Sequence, residues 1–113
     1  MKMLVYLLDL KDESCIAPYL ERHANIEPEV PKTIRELGVL QNRICRLGTH
    51  LVNIMIVEDG FTGDVLKKYV ENPACKKWDD EMMQYQKALP EAKPGELWAE
   101  TDVAFLFDTI GLK

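Results

Sequence analysis

Val39-Leu40-Gln41-Asn42-Arg43-Ile44-Cys45-Arg46-Leu47 and His50-Leu51-Val52-Asn53-Ile54-Met55-Ile56-Val57 flank the dipeptide Gly48-Thr49. Two apolar-rich runs joined by two residues, one of them a glycine, carry the signature of a β-hairpin. Upstream, Met3 to Leu10 reads as a first strand, and Asp12 is placed to cap a helix from Glu13 to about His23. Pro18 falls inside that helix and removes a backbone donor, so regular helix is expected to begin near Pro18. A second helix, Pro28 to Leu37, starts on a proline and stops before Gly38, the residue type that accepts a left-handed C-cap.

Downstream of the hairpin, Phe61-Thr62-Gly63 opens a helical stretch with Leu66, Tyr69 and Val70 at three- and four-residue spacing. It breaks at Asn72-Pro73 and resumes from Ala74 to Lys87, with Trp78, Met82 and Tyr85 on one stripe. Pro90 and Pro94 make Leu89 to Glu96 a loop, and Leu97 to Phe107 alternates as a last strand. Strand, helix, strand, strand, helix, strand is a split βαβ order. It predicts an α+β ferredoxin-like sandwich, an antiparallel sheet with helices on one face. Val5, Leu7, Val52, Ile54 and Ile56, alternating toward the other face, would leave a larger apolar patch than monomers expose. A homodimer packed sheet to sheet is therefore expected.

The 113 residues suit one domain, 1–113, and 47% hydrophobic with 29% charged residues is an ordinary globular balance. A formal net charge of −5 and a pI near 5.0, with scattered Lys and Arg, disfavour nucleic acid and anionic membrane as partners. The apolar run Met3 to Leu8 is too short for a signal peptide or a membrane span. Cys15, Cys45 and Cys75 form no Cys-x-x-Cys pair, which fits reduced thiols, so the chain is expected to be cytoplasmic.

Tyr19 and His23 lie four residues apart on the first helix, so they share a face. An imidazole titrates near neutral pH and can carry a proton, whereas a phenol with a free pKa near 10 is suited to hold a hydroxyl while staying neutral. The same spacing also suits plain packing. His50 has no partner histidine at ligand spacing and reads as a turn residue, so no metal is expected. Asp79-Asp80-Glu81 reads as a solvated helix face, because adjacent helical residues diverge. Gly60 and Gly63 form no phosphate loop.

The chain resembles the rhamnose mutarotase family, enzymes that interconvert the anomers of 6-deoxyhexoses. The resemblance rests on Leu7-Leu8-Asp9-Leu10-Lys11-Asp12, on Tyr19 to Val30 with its Tyr-x-x-x-His and Pro28-Glu29, and on Gly38 to Glu58 with Ile44 and Arg46. It continues through Trp78, Met82, Tyr85 and Gln86 to Pro90-x-x-x-Pro94-Gly95-Glu96-x-Trp98. It implies a dimeric α+β barrel without cofactor, with His23 as the acid/base group and Tyr19 and Trp78 holding a monosaccharide. Arg46 matches an arginine of members associated with L-fucose rather than L-rhamnose. The chain departs from the family pattern at Glu27, Asn42, Cys45 and Asp79, where aromatic residues are common. A non-catalytic sugar-binding relative, and a ferredoxin-like monooxygenase or haem-binding protein, are the alternatives the sequence leaves open.

Overall fold

The hairpin forms as its sequence dictates. In a computed structural model that describes Met1–Lys113, strands β2 (Val39–Leu47) and β3 (His50–Val57) pair antiparallel, and Gly48 takes φ 59° in the turn between them. A bulge between Val39 and Gln41 shifts the register, and β2 lies at the free edge of the sheet. β3 pairs along its whole length with β1 (Lys2–Leu10), which is the inner strand of the order β2-β3-β1-β4. Two short strands, β4 (Gln86–Lys87) and β5 (Ala99–Glu100), share the other edge of β1.

Asp12 caps as expected, its carboxylate accepting from the Ser14 amide, but the first turn is a 3-10 turn at Glu13–Cys15. Helix α1 (Ile16–Ala24) follows, and Pro18 is its third residue. The first four amides of a helix have no acceptor inside it, so Pro18 sacrifices no bond there. Pro31 holds the same place in α2 (Glu29–Glu36), which ends before Gly38 at φ 103°. Helix α3 (Gly63–Tyr69) is separated from α4 (Pro73–Met83) by Asn72. The Asn72 side chain caps α4 by accepting from the amides of Ala74 and Cys75, and its NH2 donates to Glu29 Oε1 and Thr33 Oγ1, both at 3.1 Å. One amide thus sets both the start of α4 and its docking on α2.

Two expected boundaries move. The helix expected to reach Lys87 ends at Met83, and Gln86 and Lys87 leave it to pair with Leu10 and Asp9. The strand expected over Leu97 to Phe107 contracts to Ala99–Glu100, because only Tyr6 and Leu7 offer it partners on β1. After Thr101, whose amide and hydroxyl both bond the Val5 carbonyl, the chain leaves the sheet and returns at Lys113, paired with Met1 and Met3.

The core lies between sheet and helices. Leu8, Leu10 and Leu51 from the strands pack with Tyr19, Val30, Cys75, Trp78 and Met82 from the helices. By the two-residue alternation of strands, Val5, Leu7, Val52, Ile54 and Ile56 face away from this core, and all are half-buried. The architecture is the ferredoxin-like α+β sheet-and-helix sandwich read from the element order.

Candidate functional site

Between the helices and the inner face of the sheet lies a cavity of about 390 Å³, within the range of small-molecule sites. Its wall is mainly apolar. The polar groups on it come from separate elements: Tyr6 of β1, Tyr19 and His23 of α1, Asn53 of β3, Trp78 and Asp79 of α4, and Gln86 of β4. A hollow of about 470 Å³ adjoins it along β2, sharing Tyr19, His23, Asn42 and Ile44 and reaching Arg35 and Arg46.

His23 occupies the last turn of α1, and Ile16, Tyr19 and His23 recur at helical spacing on its inward side. The His23 Nδ1 lies 2.8 Å from the Tyr19 carbonyl. A carbonyl only accepts, so Nδ1 carries the hydrogen and Nε2 is the nitrogen left to give or take a proton. The imidazole is held on two sides. Its centroid is 4.4 Å from the Tyr19 ring and 5.0 Å from the Trp78 ring, the latter edge-on at 78°.

Tyr19 is only 2% exposed, and its hydroxyl accepts from Gln86 Nε2 at 3.3 Å. Burial raises its pKa, against the Gln86 bond, so the phenol stays neutral and keeps a proton to donate. The Gln86 contact accounts for the departure of Gln86 from the helix: as a strand residue opposite Leu10 it reaches the Tyr19 hydroxyl.

Trp78 is 7% exposed and belongs to the core cluster while also lining the cavity. The Arg22 guanidinium carbon stands 5.6 Å from its ring centroid, within cation–π range. Arg22 is itself held by both carboxylate oxygens of Glu81, with Nη2 to Oε2 at 3.0 Å. This fork ties α1 to α4 and keeps His23 against Trp78. The pair is partly exposed, and its value is mainly geometric.

Of the four residues singled out from the sequence, three therefore meet. Arg46 does not join them: it is exposed, bonds the Gly48 carbonyl at 2.9 Å in its own hairpin turn, and reaches only the outer hollow. The positions that depart from the family pattern divide evenly. Asn42 and Asp79 line the cavity, whereas Glu27 is exposed and Cys45, paired with Val52, is on the opposite face of the sheet. Asn42 Nδ2 donates to Asn53 Oδ1, forming an amide pair on the cavity side of β2 and β3. Asp79 was expected to face solvent; instead it is half-buried beside the Tyr69 hydroxyl of α3. Tyr69, Asn53 and Tyr6 were not singled out as site residues. The strand alternation that puts Tyr6 on the same face as Leu8 was the available signal, and nothing comparable marks Tyr69. His50 is at the hairpin, 2.7 Å from Asp9, away from the cavity.

An antiparallel α+β sheet with a small-molecule-sized cavity beside a packed His, Tyr and Trp defines a small-molecule-processing member of the ferredoxin-like class. The L-rhamnose mutarotase family model matches residues 4–107, and the chain belongs to that family. It is 33% identical over 109 residues to an L-fucose mutarotase of Xanthomonas campestris pv. campestris, covering 93% of this chain and 87% of that one. In fold it is similar to the L-rhamnose mutarotase of Formosa agariphila, with a TM-score of 0.72, 19% identity, and 96% and 100% of the two chains covered. It is also similar in fold to tetracenomycin F2 cyclase of Streptomyces glaucescens, with a TM-score of 0.60, 17% identity, and 96% and 99% covered.

Proposed function

We propose that this mutarotase acts on the anomers of a 6-deoxyhexose of the L-fucose or L-rhamnose type, with His23 as the proton carrier. The observation that carries the assignment is the single-tautomer imidazole, its Nδ1 committed to the Tyr19 carbonyl, packed between two aromatic rings on the wall of the cavity. Mutarotation requires a proton at the ring oxygen and removal of one from the anomeric hydroxyl, after which the ring opens, the aldehyde turns and the ring recloses. Nε2 of His23 suits the first task. The neutral Tyr19 hydroxyl and the Trp78 indole suit binding, since an indole face packs against sugar C–H groups. The apolar wall suits the methyl group of a 6-deoxy sugar. Arg46 serves, in this reading, at the outer hollow and not at the reacting atoms.

The test is a panel of NMR exchange spectra on L-fucose, L-rhamnose, D-galactose and D-glucose. Exchange between anomers should quicken for at least one of the two 6-deoxyhexoses and less for the hexoses. Saturation transfer from protein to sugar without faster exchange would leave a binder and not a catalyst.

The protein is proposed to work as a homodimer. Between the anchors at Thr101 and Lys113, Val103, Phe105, Leu106, Phe107 and Ile110 are all more than half exposed, with Phe105 at 85%. This exposed apolar run and the half-buried outer sheet face support a surface covered by another copy of the chain. Light scattering at micromolar concentration should give near twice the 13.0 kDa chain mass, and Phe105→Ser with Phe107→Ser should halve it. A monodisperse wild-type monomer would overturn the assembly. The three cysteines are unpaired, with Cys45 at the surface, which supports a reducing compartment such as the cytoplasm.

A further inference from the structure

Among the 22 residues lining the inner cavity, Asp79 is the only Asp, Glu, Lys or Arg. A formal charge on a mainly apolar wall is costly unless it is paired or used. Asp79 forms no ion pair: Lys76, one turn back on α4, gives its ammonium to both oxygens of Asp80 at 3.0 and 3.1 Å. Its nearest polar influence from another helix is the neutral hydroxyl of Tyr69 of α3. Asp79 on α4 and His23 on α1 both line this cavity, so the carboxylate and the imidazole serve one chamber from two helices.

We propose that Asp79 is the second proton-transfer group of the reaction, exchanging the proton of the anomeric hydroxyl while His23 serves the ring oxygen. The inference rests on the mutarotase assignment made above and adds the partner that His23 needs. With a proton on Nε2, His23 delivers it to the ring oxygen as the C1–O5 bond breaks. Asp79 takes the O1 proton as the C1=O bond of the aldehyde forms. Rotation about C1–C2 presents the other carbonyl face. The O5 hydroxyl then adds to C1, returning its proton to His23 Nε2, while Asp79 gives its proton back to O1. Both side chains end as they began, and no co-reactant is consumed.

The surroundings suit that task. Burial, ahead of the charge on Asp80, raises the Asp79 carboxyl above the usual carboxylate range, with the Tyr69 hydroxyl opposing it; the raised affinity makes a stronger proton acceptor. Burial first, and then the Asp79 charge, keeps the Tyr69 phenol protonated beside the carboxylate. Substitution of an aromatic by Asp79 therefore replaces a wall with a reacting group.

The test is the exchange kinetics of Asp79→Asn and Asp79→Gly on whichever 6-deoxyhexose the wild type accelerates, with His23→Gln alongside. Asp79→Asn should lower kcat about 100-fold or more and leave KM within about threefold, because the amide preserves shape but cannot take a proton. Asp79→Gly should fall as far and recover as formate is added, a response that a merely structural carboxylate would not give. Thermal melting establishes that each variant is folded; if Asp79→Gly is not, the nearly isosteric Asn variant decides. Asp79→Asn with kcat within about threefold of wild type, while His23→Gln is inactive, overturns the role of Asp79 and leaves the mutarotase assignment standing. Formate-insensitive, folded Asp79→Gly also overturns it. A wild type that accelerates neither L-fucose nor L-rhamnose exchange overturns both.

Discussion

Replacing His23 with glutamine is expected to remove the acceleration of anomer exchange by about 10²- to 10⁴-fold, the usual worth of a positioned proton carrier. The melting temperature should move by only a few degrees. His23 is half-buried, and its one hydrogen bond goes to a carbonyl of its own helix, so losing it strands no distant partner. Line-shape or exchange NMR with L-fucose or L-rhamnose measures the first quantity and calorimetry the second. A folded variant with wild-type exchange would strike His23 from the mechanism. A variant that fails to fold would make the imidazole a packing residue, wedged between Tyr19 and Trp78 for stability alone.

The second large effect should come from Trp78→Ala, and it should be felt in stability as much as in activity. The indole is one of the eight buried residues of the main core cluster, carries the Arg22 guanidinium near one side and meets the His23 ring edge-on at another. Truncating a buried tryptophan to alanine costs roughly 3–5 kcal/mol through lost transfer energy and the cavity left behind. In a domain of this size, each kcal/mol shifts the melting temperature by about 4–8 °C, so a drop of ten degrees or more is expected. Trp78→Phe keeps an aromatic wall and loses the Nε1–H donor. It should retain the fold and weaken saturation by sugar. Denaturant titration of Trp78→Ala tests the packing half: a loss under about 1 kcal/mol would show that the ring is not part of the core.

Legibility in the sequence followed the range of the forces involved. The hairpin at Gly48-Thr49 and the helix stop at Gly38 depend on backbone conformation within a few residues, and both stand where the residues put them. The Tyr19 and His23 pair was readable because four-residue spacing on a helix is a local fact. Trp78 had a stripe and the family resemblance to recommend it; its approach to His23 depends on the Arg22–Glu81 fork and on Asn72, which bind residues about 40 to 60 positions apart. The end of α4 was not legible. No glycine or proline stands between Met83 and Pro90, and what draws Gln86 away is pairing with Leu10 and the Tyr19 hydroxyl. The alternation from Leu97 to Phe107 is real in the sequence, but beyond Thr101 this chain offers it no strand to join. Arg46 matched a family position yet bonds the Gly48 carbonyl of its own turn, which spacing cannot anticipate.

The exposed edge of β2 is also the lip of the outer hollow, since Leu40, Gln41, Asn42, Ile44 and Arg46 belong to both. An unpaired edge invites another chain to add a strand, and the bulge near Leu40 together with the cationic Arg43 and Arg46 is the usual defence against such growth. Strand addition and an open outer hollow are therefore antagonists on one strip of backbone. A foreign strand added there would cover the rim of the outer hollow, so the irregularity that discourages strand addition also keeps that rim open.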